Sequence, residues 1–407
     1  MSGKNIWIIN EYAGSPYHGM EFRHYYLGKE LIKRGYNVTI ITASFSHLFK
    51  NLPKVEHRFS LENIDGINYL WIKVPHYTKS FDKKRVLKWV VFTYYLFKLP
   101  FDKLPKPDYI ILSPMATLPV LPSYRLAKRF NIKKFIFEVK DIWPLSIIEL
   151  GNYSPNHPFI KLLQYFENMA IKKSDLIMSV LPNYGEYLKD NGFNKEFVYI
   201  PNGVDLGDMQ KTEVLSEDIK KQIPDDKFIV AYTGTIGIAN ALEYLVEAGK
   251  MLKNYKDILI LIVGEGGEKE RLKELAKGYD NIIFLPAIPK RQVQSLLSLV
   301  DVCYLGWRNK RLYKYGISPN KIFDYMYSGK PIVNSINSSK DLVAMANCGL
   351  SVEAENPKTV AEAILKLYDM DSEERKKLGE NGKKYVIENH SHEKLAKKLD
   401  GVLNVYG

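Results

Sequence analysis

The sequence predicts an α/β protein of two doubly wound parallel-sheet domains, and three observations predict it. Short apolar runs alternate with helical segments along the whole chain. The runs are nearly continuous in β-branched and aliphatic residues, as strands buried on both faces are. The series stops at a cluster of Pro, Gly and Asp, PNGVDLGDM (201–209), and then restarts. A chain of 407 residues is also too long for one ordinary core.

The elements follow in order. NIWIIN (5–10) is the first strand. MEFRHYYLGKELIKRG (20–35) reads as a helix beginning near Met20 that Gly35 can end. YNVTIIT (36–42), DYIILS (108–113), KKFIFEV (133–139), DLIMSV (175–180) and EFVYIP (196–201) continue the strands. After the break come FIVAYTG (228–234), DILILIVGEG (257–266), NIIFLPAIP (281–289), VDVCYLG (300–306) and KPIVNS (330–335), with helical stretches at 240–254, 267–277 and 290–299. SEERKKLGENGKKYVIENH and HEKLAKKLDGVLNVY close the chain as helices. The boundaries expected are 1–205, 206–385, and a C-terminal helix at 386–407 packing back on the first domain. Ligands of such sheets bind beyond the carboxyl ends of the strands, so two domains facing a cleft place the site in that cleft.

A formal net charge of +12 predicts attraction to nucleic acid, an acidic membrane face or a phosphorylated substrate. A lysine-rich surface serving solubility is the plainer alternative. Two cysteines, Cys303 and Cys348, are too few for a disulfide framework or a zinc site and fit a reducing cytoplasm. MSGKNIWIINEY reads as a first strand and not as a signal peptide. No apolar run reaches the ~18 residues of a membrane span. KKRVLKWVVFTYYLFK (83–98) joins basic residues to a dense apolar run. It fits an amphipathic helix at a membrane interface, or a core-facing helix with a basic outer edge.

Candidate chemistry lies in the loops at strand ends. YTGTIG (232–237) follows a strand and precedes a helix, so its glycines allow close backbone approach to an anion at a helix N-terminus. VGEGGEKERL (263–272) repeats the design. Neither carries the dinucleotide G-x-G-x-x-G spacing or a Walker ending, and each is alone also a common structural turn. GSPYHGMEFRHY (14–25) is a third loop, with Arg23 and His24 in the first helical turns; His24 is equally a partly buried polar residue. EVKDIWPLS (138–146) brings Glu138, Lys140, Asp141 and Trp143 to a strand's carboxyl end, where Asp141 can accept a proton or orient a hydroxyl, or cap the next segment.

The densest candidate is KYGISPNKIFDYMYSGKP (314–331). Ser318 is expected to cap a helix, with Pro319 at its first position and Gly329 at its end. Free N–H groups, the positive end of the helix dipole and the Lys321 ammonium then converge near Asn320, which suits a phosphate. Asp324 lies one turn on, three residues from Lys321. Its carboxylate suits the vicinal hydroxyls of a ribose; a local Lys–Asp pair on a capped helix is the plainer alternative. DMD (369–371) reads as a helix cap, and His390 and His392 as tail residues without a third metal ligand.

Taken together, GSPYHG…LGKELIKRGYNVTIIT, IPNGVD, YTGTIG, VGEG, LPAIP and SPNKIFDYMYSGKPIV resemble the GT-B glycosyltransferases, specifically the retaining family 4 enzymes, over nearly the whole chain. DIWP and SPNKIFDYM resemble the bacterial O-antigen and capsule branch that includes N-acetylfucosamine transferases. The resemblance implies two Rossmann-like domains. It implies a nucleotide-diphosphate sugar on the second domain, an acceptor on the first, retained configuration, and neither metal nor cofactor. Carried over for the donor are Gly19, Gly234, Thr235, Glu265, Ser318, Asn320, Lys321 and Asp324, with the base near Pro286–Lys290. Arg23, His24, Glu138 and Trp143 are expected on the acceptor side, and Asp141 and Lys321 as catalytic groups.

The sequence also departs from the family. Where many members have a Glu-x7-Glu pair, Gly316 fills the first position and Asp324 the second. TIGIANALE (235–243) has no positive charge where many members carry Arg and Lys, so the diphosphate needs Lys321 first, then Lys290, Arg308 or Lys314. Leu145 stands where the branch often has Glu, and no histidine accompanies Asp141. The expected activity is hexosyl transfer, of an N-acetylated hexosamine type, from a UDP-sugar to a glycan or polyprenyl-diphosphate-linked acceptor. The expected setting is the cytoplasm, at the inner face of the plasma membrane through residues 83–98, with no nucleic-acid partner. A non-hydrolysing UDP-sugar epimerase and a decayed sugar-nucleotide binder are the alternatives.

Overall fold

The computed structural model describes residues 3–19, 22–78, 82–338 and 340–404. The chain forms two compact units, Met1–Pro201 with His392–Gly407, and Asn202–Ser391.

The first unit is an eight-stranded sheet. Its strands are β1 (Asn5–Ile9), β2 (Asn37–Ala43), β3 (Phe59–Ile64), β4 (Ile67–Ile72), β5 (Tyr109–Leu112), β6 (Lys134–Val139), β7 (Leu176–Ser179) and β8 (Phe197–Tyr199). Their order is β3-β4-β2-β1-β5-β6-β7-β8. Pairing is parallel, as in Ile6↔Val38 and Ile8↔Ile40, except for the antiparallel hairpin β3–β4. That hairpin is absent from the strands read in the sequence. It turns on Asp65 and Gly66, both at positive φ (50° and 87°), the geometry of a two-residue primed turn. The helix α1 (Arg23–Lys33) buries Leu27, Gly28 and Leu31 against the sheet. It begins three residues later than the sequence suggests; Met20 lies outside the described residues. A Cβ on Gly28 would come within 3.0 Å of Ile67 Cδ1, so the small residue sets the helix–sheet spacing. The helix α2 (Lys83–Leu96) is capped by Asp82, whose carboxylate accepts from the Lys84 N–H at 2.9 Å.

The last helix, His392–Asn404, belongs to this unit. Its Leu395, Ala396, Leu399 and Leu403 complete the core formed by Ile6, Ile8, Val38 and Ile40. Three buried leucines there contribute about 2 kcal/mol each. His392 stacks on Tyr26 at 5.0 Å, and His390, at the end of the second unit, packs against Phe323 at 4.7 Å. Both histidines are buried, which corrects the expectation of tail residues.

The second unit is a six-stranded sheet of order β11-β10-β9-β12-β13-β14. The strands are β9 (Phe228–Thr233), β10 (Ile258–Val263), β11 (Ile282–Leu285), β12 (Val302–Gly306), β13 (Ile332–Ser335) and β14 (Gly349–Val352). All pairs are parallel. β9 and β10 are buried at every position because the sheet is covered on both sides. Ile229, Ala231, Leu259 and Leu261 face one core; Phe228, Val230, Tyr232, Ile258 and Ile260 face the other, as the two-residue period requires. Asp371 caps the Ser372–His390 helix, accepting from the Glu373 N–H at 2.7 Å. Cys303 and Cys348 are buried free thiols.

Candidate functional site

In the second unit the site is built where β9 ends. Gly234 and Thr235 are exposed there, and Gly234 sits at φ +139°, a backbone region side chains rarely adopt. Lys321 reaches this loop from the Asn320–Ser328 helix: a Cβ on Gly234 would lie 3.1 Å from its Nζ. The Thr233 N–H donates to the Tyr325 hydroxyl at 2.7 Å, which registers that helix against the strand end. The Lys321 ammonium donates to the Tyr232 hydroxyl at 2.5 Å and to Asn240 Oδ1 at 3.0 Å. It also lies 4.2 Å from the centre of the Tyr232 ring. No carboxylate among the described residues pairs with it. Burial alone lowers its pKa to about 7, because the charged form loses water without gaining an opposite charge.

Two of the other candidate cations, Lys290 and Arg308, are already committed. Lys290 Nζ meets both oxygens of Asp324 at 2.5 Å. Burial raises the Asp324 pKa, and Lys290 opposes that shift. The local pair of Lys321 with Asp324, the plainer alternative, therefore does not form. Arg308 is bound to Glu243 at 2.5 Å and Glu355 at 3.5 Å, and donates to the Ile238 carbonyl at 2.9 Å. Glu265 accepts from Lys269 at 2.7 Å; that hydrogen bond, ahead of the charge itself, lowers its pKa. Buried Lys269 also ties down the carbonyls of Gly264 and Leu285 at 2.9 and 3.1 Å. Pro286 is exposed just past β11.

Two expectations in this unit need correction. The helix starts at Asn320, with Pro319 as its N-cap at ψ 135° and no side-chain cap. Ser318 does not cap it: its hydroxyl accepts from the Asn202 N–H at 3.2 Å and its carbonyl from Asn202 Nδ2 at 2.8 Å. The helix still leaves the N–H groups of Asn320 and Lys321 without intrahelical acceptors, while the Ile322 N–H reaches the Pro319 carbonyl at 3.3 Å, and Gly329 ends it at φ 71°. Second, Gly264 and Gly266 of the 263–267 loop follow the structural-turn alternative and serve the protein itself, whereas a Cβ on Gly267 would meet nothing within 4 Å. A Cβ on Gly264 would fall 1.8 Å from the Gly234 carbonyl oxygen, and one on Gly266 2.1 Å from that of Ile236. The two loops pack backbone on backbone, so these glycines hold the loop of β9 in place. Gly316 has φ 92° and ψ 172°, a conformation glycine alone tolerates well; the backbone there excludes the carboxylate of the usual pair.

In the first unit the sequence-predicted residues also gather, but inward. Arg23 Nε donates to Glu138 Oε1 at 2.8 Å, and its other nitrogens donate to the carbonyls of Ile200, at 2.7 Å, and Pro201. His24 Nε2 lies 2.6 Å from Glu138 Oε2, and its Nδ1 3.1 Å from Asn10 Nδ2. All three side chains are buried. Burial raises the Glu138 pKa, but Arg23 and then His24 overcome it and hold the carboxyl well below its ordinary range. Gly19, at φ +115°, packs against the backbone of Leu48 and Lys50. Asp141 is exposed beyond β6; the next helix, Leu145–Gly151, has Pro144 as its N-cap and no side-chain cap. Trp143 packs edge-on against Trp89 of α2 at 5.6 Å. The residues missed from sequence are Tyr232, Asn240 and Lys269. Tyr232 and Asn240 flank the first glycine loop, whose glycines drew attention away from them.

Two family descriptions match the chain. Residues 17–208 match Glycosyltransferase Family 4 and residues 215–385 match Glycosyl transferases group 1. The uncharacterized glycosyltransferase MJ1069 of Methanocaldococcus jannaschii is 27% identical over 59% of this chain and 62% of that protein. The "Putative colanic acid biosynthesis glycosyl transferase WcaI" of Escherichia coli is 25% identical over 55% of this chain and 56% of that protein. The matched stretches thus span little more than half the length of these curated relatives. Among solved structures, Anabaena Alr3699/HepE in complex with UDP superposes with a TM-score of 0.65 at 12% identity, covering 99% of this chain and 100% of that one. With one sheet all parallel, the other parallel but for one hairpin, and each unit matched in sequence, the chain belongs to the GT-B glycosyltransferases of the group 1 and family 4 type.

Proposed function

We propose that this protein is a retaining, metal-independent glycosyltransferase. It moves a sugar of N-acetylated hexosamine type from a UDP-sugar to a glycan or polyprenyl-diphosphate-linked acceptor of a bacterial surface polysaccharide. The observation that carries this reading is the Lys321 ammonium, held over Gly234 with no carboxylate partner among the described residues. A desolvated cation beside a helix N-terminus is what a leaving diphosphate needs. As the sugar C1–O bond breaks, the electron pair stays on the phosphate oxygen, where Lys321 and the first-turn N–H groups stabilise it. An oxygen of that phosphate then takes the acceptor's proton, which lets attack come from the face the leaving group occupied. Asp141 orients the acceptor hydroxyl, and Asp324 receives the ribose hydroxyls once Lys290 yields. The UDP bound by HepE and the colanic acid role in the name of WcaI support the donor base and the polysaccharide setting. The exposed residues of α2 support docking on an anionic membrane face.

The test is a panel of nucleotide sugars. A UDP-N-acetylhexosamine should stabilise the protein by roughly 2.7 kcal/mol at a hundred times its dissociation constant. Lys321→Ala should lower transfer by about 10²–10³-fold. Stabilisation by no UDP-sugar, or wild-type transfer by the variant, overturns the reading. Interconversion of UDP-sugars without an acceptor would indicate an epimerase, and binding without any product a decayed binder.

A further inference from the structure

Lys321 is held by a closed ring of hydrogen bonds. Its ammonium donates to the Tyr232 hydroxyl and to Asn240 Oδ1. The Tyr232 hydroxyl donates to the Thr235 carbonyl at 2.6 Å, and Asn240 Nδ2 donates to the same carbonyl at 2.9 Å. An ammonium has three N–H donors. Two are taken inside this ring, and no protein group among the described residues takes the third. We propose that Tyr232 and Asn240 are positioning residues, which lock Lys321 to the 234–237 loop so that its remaining N–H meets an oxygen of the donor diphosphate. This rests on the nucleotide-sugar reading above and extends it to two residues that need not touch the ligand.

The rest of the loop fits that role. Between Thr235 and Leu242 the sequence offers no cation of its own. Asn240 instead presents an oxygen to a cation delivered from another helix. The loop is braced around it: Gly306 admits no Cβ, which would lie 2.8 Å from the Asn240 carbonyl oxygen, and Arg308 holds the Ile238 carbonyl. The charged and titratable groups around the ammonium give it no competing anion. Tyr232 on β9 is kept protonated by burial, Asp324 on the lysine's own helix is bound by Lys290, and Arg308 is bound by Glu243. With the amine poised at about 7, a bound diphosphate restores its charge by drawing one proton from solvent. Affinity therefore falls as pH rises through the free-state value, by about tenfold per unit beyond it.

The experiment is calorimetry of UDP binding to the full chain from about pH 7 to about pH 8.5, in two buffers of different ionisation enthalpy. Wild-type protein should lose affinity along that slope and take up close to one proton per UDP at the upper end. Tyr232→Phe and Asn240→Ala should each weaken binding about tenfold without lowering Tm in proportion. Asn240→Asp places a carboxylate against Lys321, fixes its charge and should flatten the slope, as Lys321→Met should by removing the amine. A slope unchanged in Asn240→Asp, or no proton uptake by the wild type, overturns the proposal. If UDP does not bind but inorganic diphosphate gives the same slopes, the nucleotide reading fails and the positioning role stands. If neither anion binds, both fail.

Discussion

Each unit draws a basic side chain inward near the carboxyl ends of its strands, Arg23 buried and Lys321 half-buried, and the two are finished differently. In the first, Arg23 is closed: Glu138 and two main-chain carbonyls take its donors, and His24 takes the second carboxylate oxygen. In the second, Lys321 is open, with neutral partners only and no carboxylate among the described residues. A closed buried charge cluster fixes a fold, because removing one member strands the others. An open one costs stability in the free protein and regains it only when an anion arrives. Under the proposed function, that difference would separate a structural basic residue from a ligand-binding one better than sequence position does, since both lie near strand-end loops.

The largest effect should come from breaking the closed cluster. Glu138→Gln leaves the Arg23 guanidinium buried without its counter-charge and should cost about 3–5 kcal/mol, read by denaturant unfolding. Lys321→Met, by contrast, should leave Tm unchanged or raised. The pH profiles should run oppositely. Glu138 is held below its ordinary 4.5, so its contribution is fully present above that value and is lost as pH falls through the depressed one. Lys321, lowered from 10.5 to about 7, carries its full penalty below about pH 7, and that penalty fades as pH rises toward 10.5. If Glu138→Gln is as stable as wild type while transfer falls, the first cluster is a functional site after all.

A smaller effect tests whether the open site is as assigned. Asp324→Ala removes the buried carboxylate expected to take the ribose hydroxyls. Hydrogen bonds to a charged group are worth roughly 1.5–3 kcal/mol, so the donor KM should rise by up to about a hundredfold while kcat changes little. A fall in kcat with KM unchanged would move Asp324 from binding to chemistry. Because Lys290 covers both carboxylate oxygens in the free protein, the measured KM includes displacing it.

The parts legible in the sequence are those written in local pattern. Strands buried on both faces, such as β9 and β10, stand out as apolar runs. β3 does not, because Leu61, Glu62 and Asn63 are exposed on an edge strand, although Asp65–Gly66 was a readable turn signal. β14 is four residues long and half-buried. In the site, Lys321 and Asp324 could be singled out from a helix start, but their partners could not. Spacing puts them on one face, yet Lys321 turns to the loop of β9 and Asp324 to Lys290. Glycines show where backbone comes close but not to what: Gly264 and Gly266 meet the neighbouring loop. The buried triad of Arg23, His24 and Glu138 joins residues more than a hundred positions apart, beyond the reach of any local pattern.

The smallest effect applies the same contrast to α2. Its exposed face carries Leu87, Val90, Tyr94 and Phe97, each 40–50% exposed and three or four residues apart, while Trp89, Phe92 and Leu96 face the core. Its three leading basic residues are not equivalent. Arg85 is turned inward, donating to the Tyr12 hydroxyl at 2.9 Å and to Met115 Sδ at 2.8 Å and lying over the Trp89 ring at 5.3 Å. Lys83 and Lys84 are exposed. If α2 docks on an anionic bilayer, the two lysines should carry the attraction at about 1 kcal/mol each. Lys83→Ala with Lys84→Ala should then weaken binding to phosphatidylserine vesicles at low salt, with the difference shrinking as salt screens it, and leave Tm unchanged. Arg85→Ala should do the reverse, lowering Tm through lost packing with little change in vesicle binding. Salt-insensitive binding that survives loss of both lysines would mean that the exposed apolar face of α2 meets something other than an anionic surface.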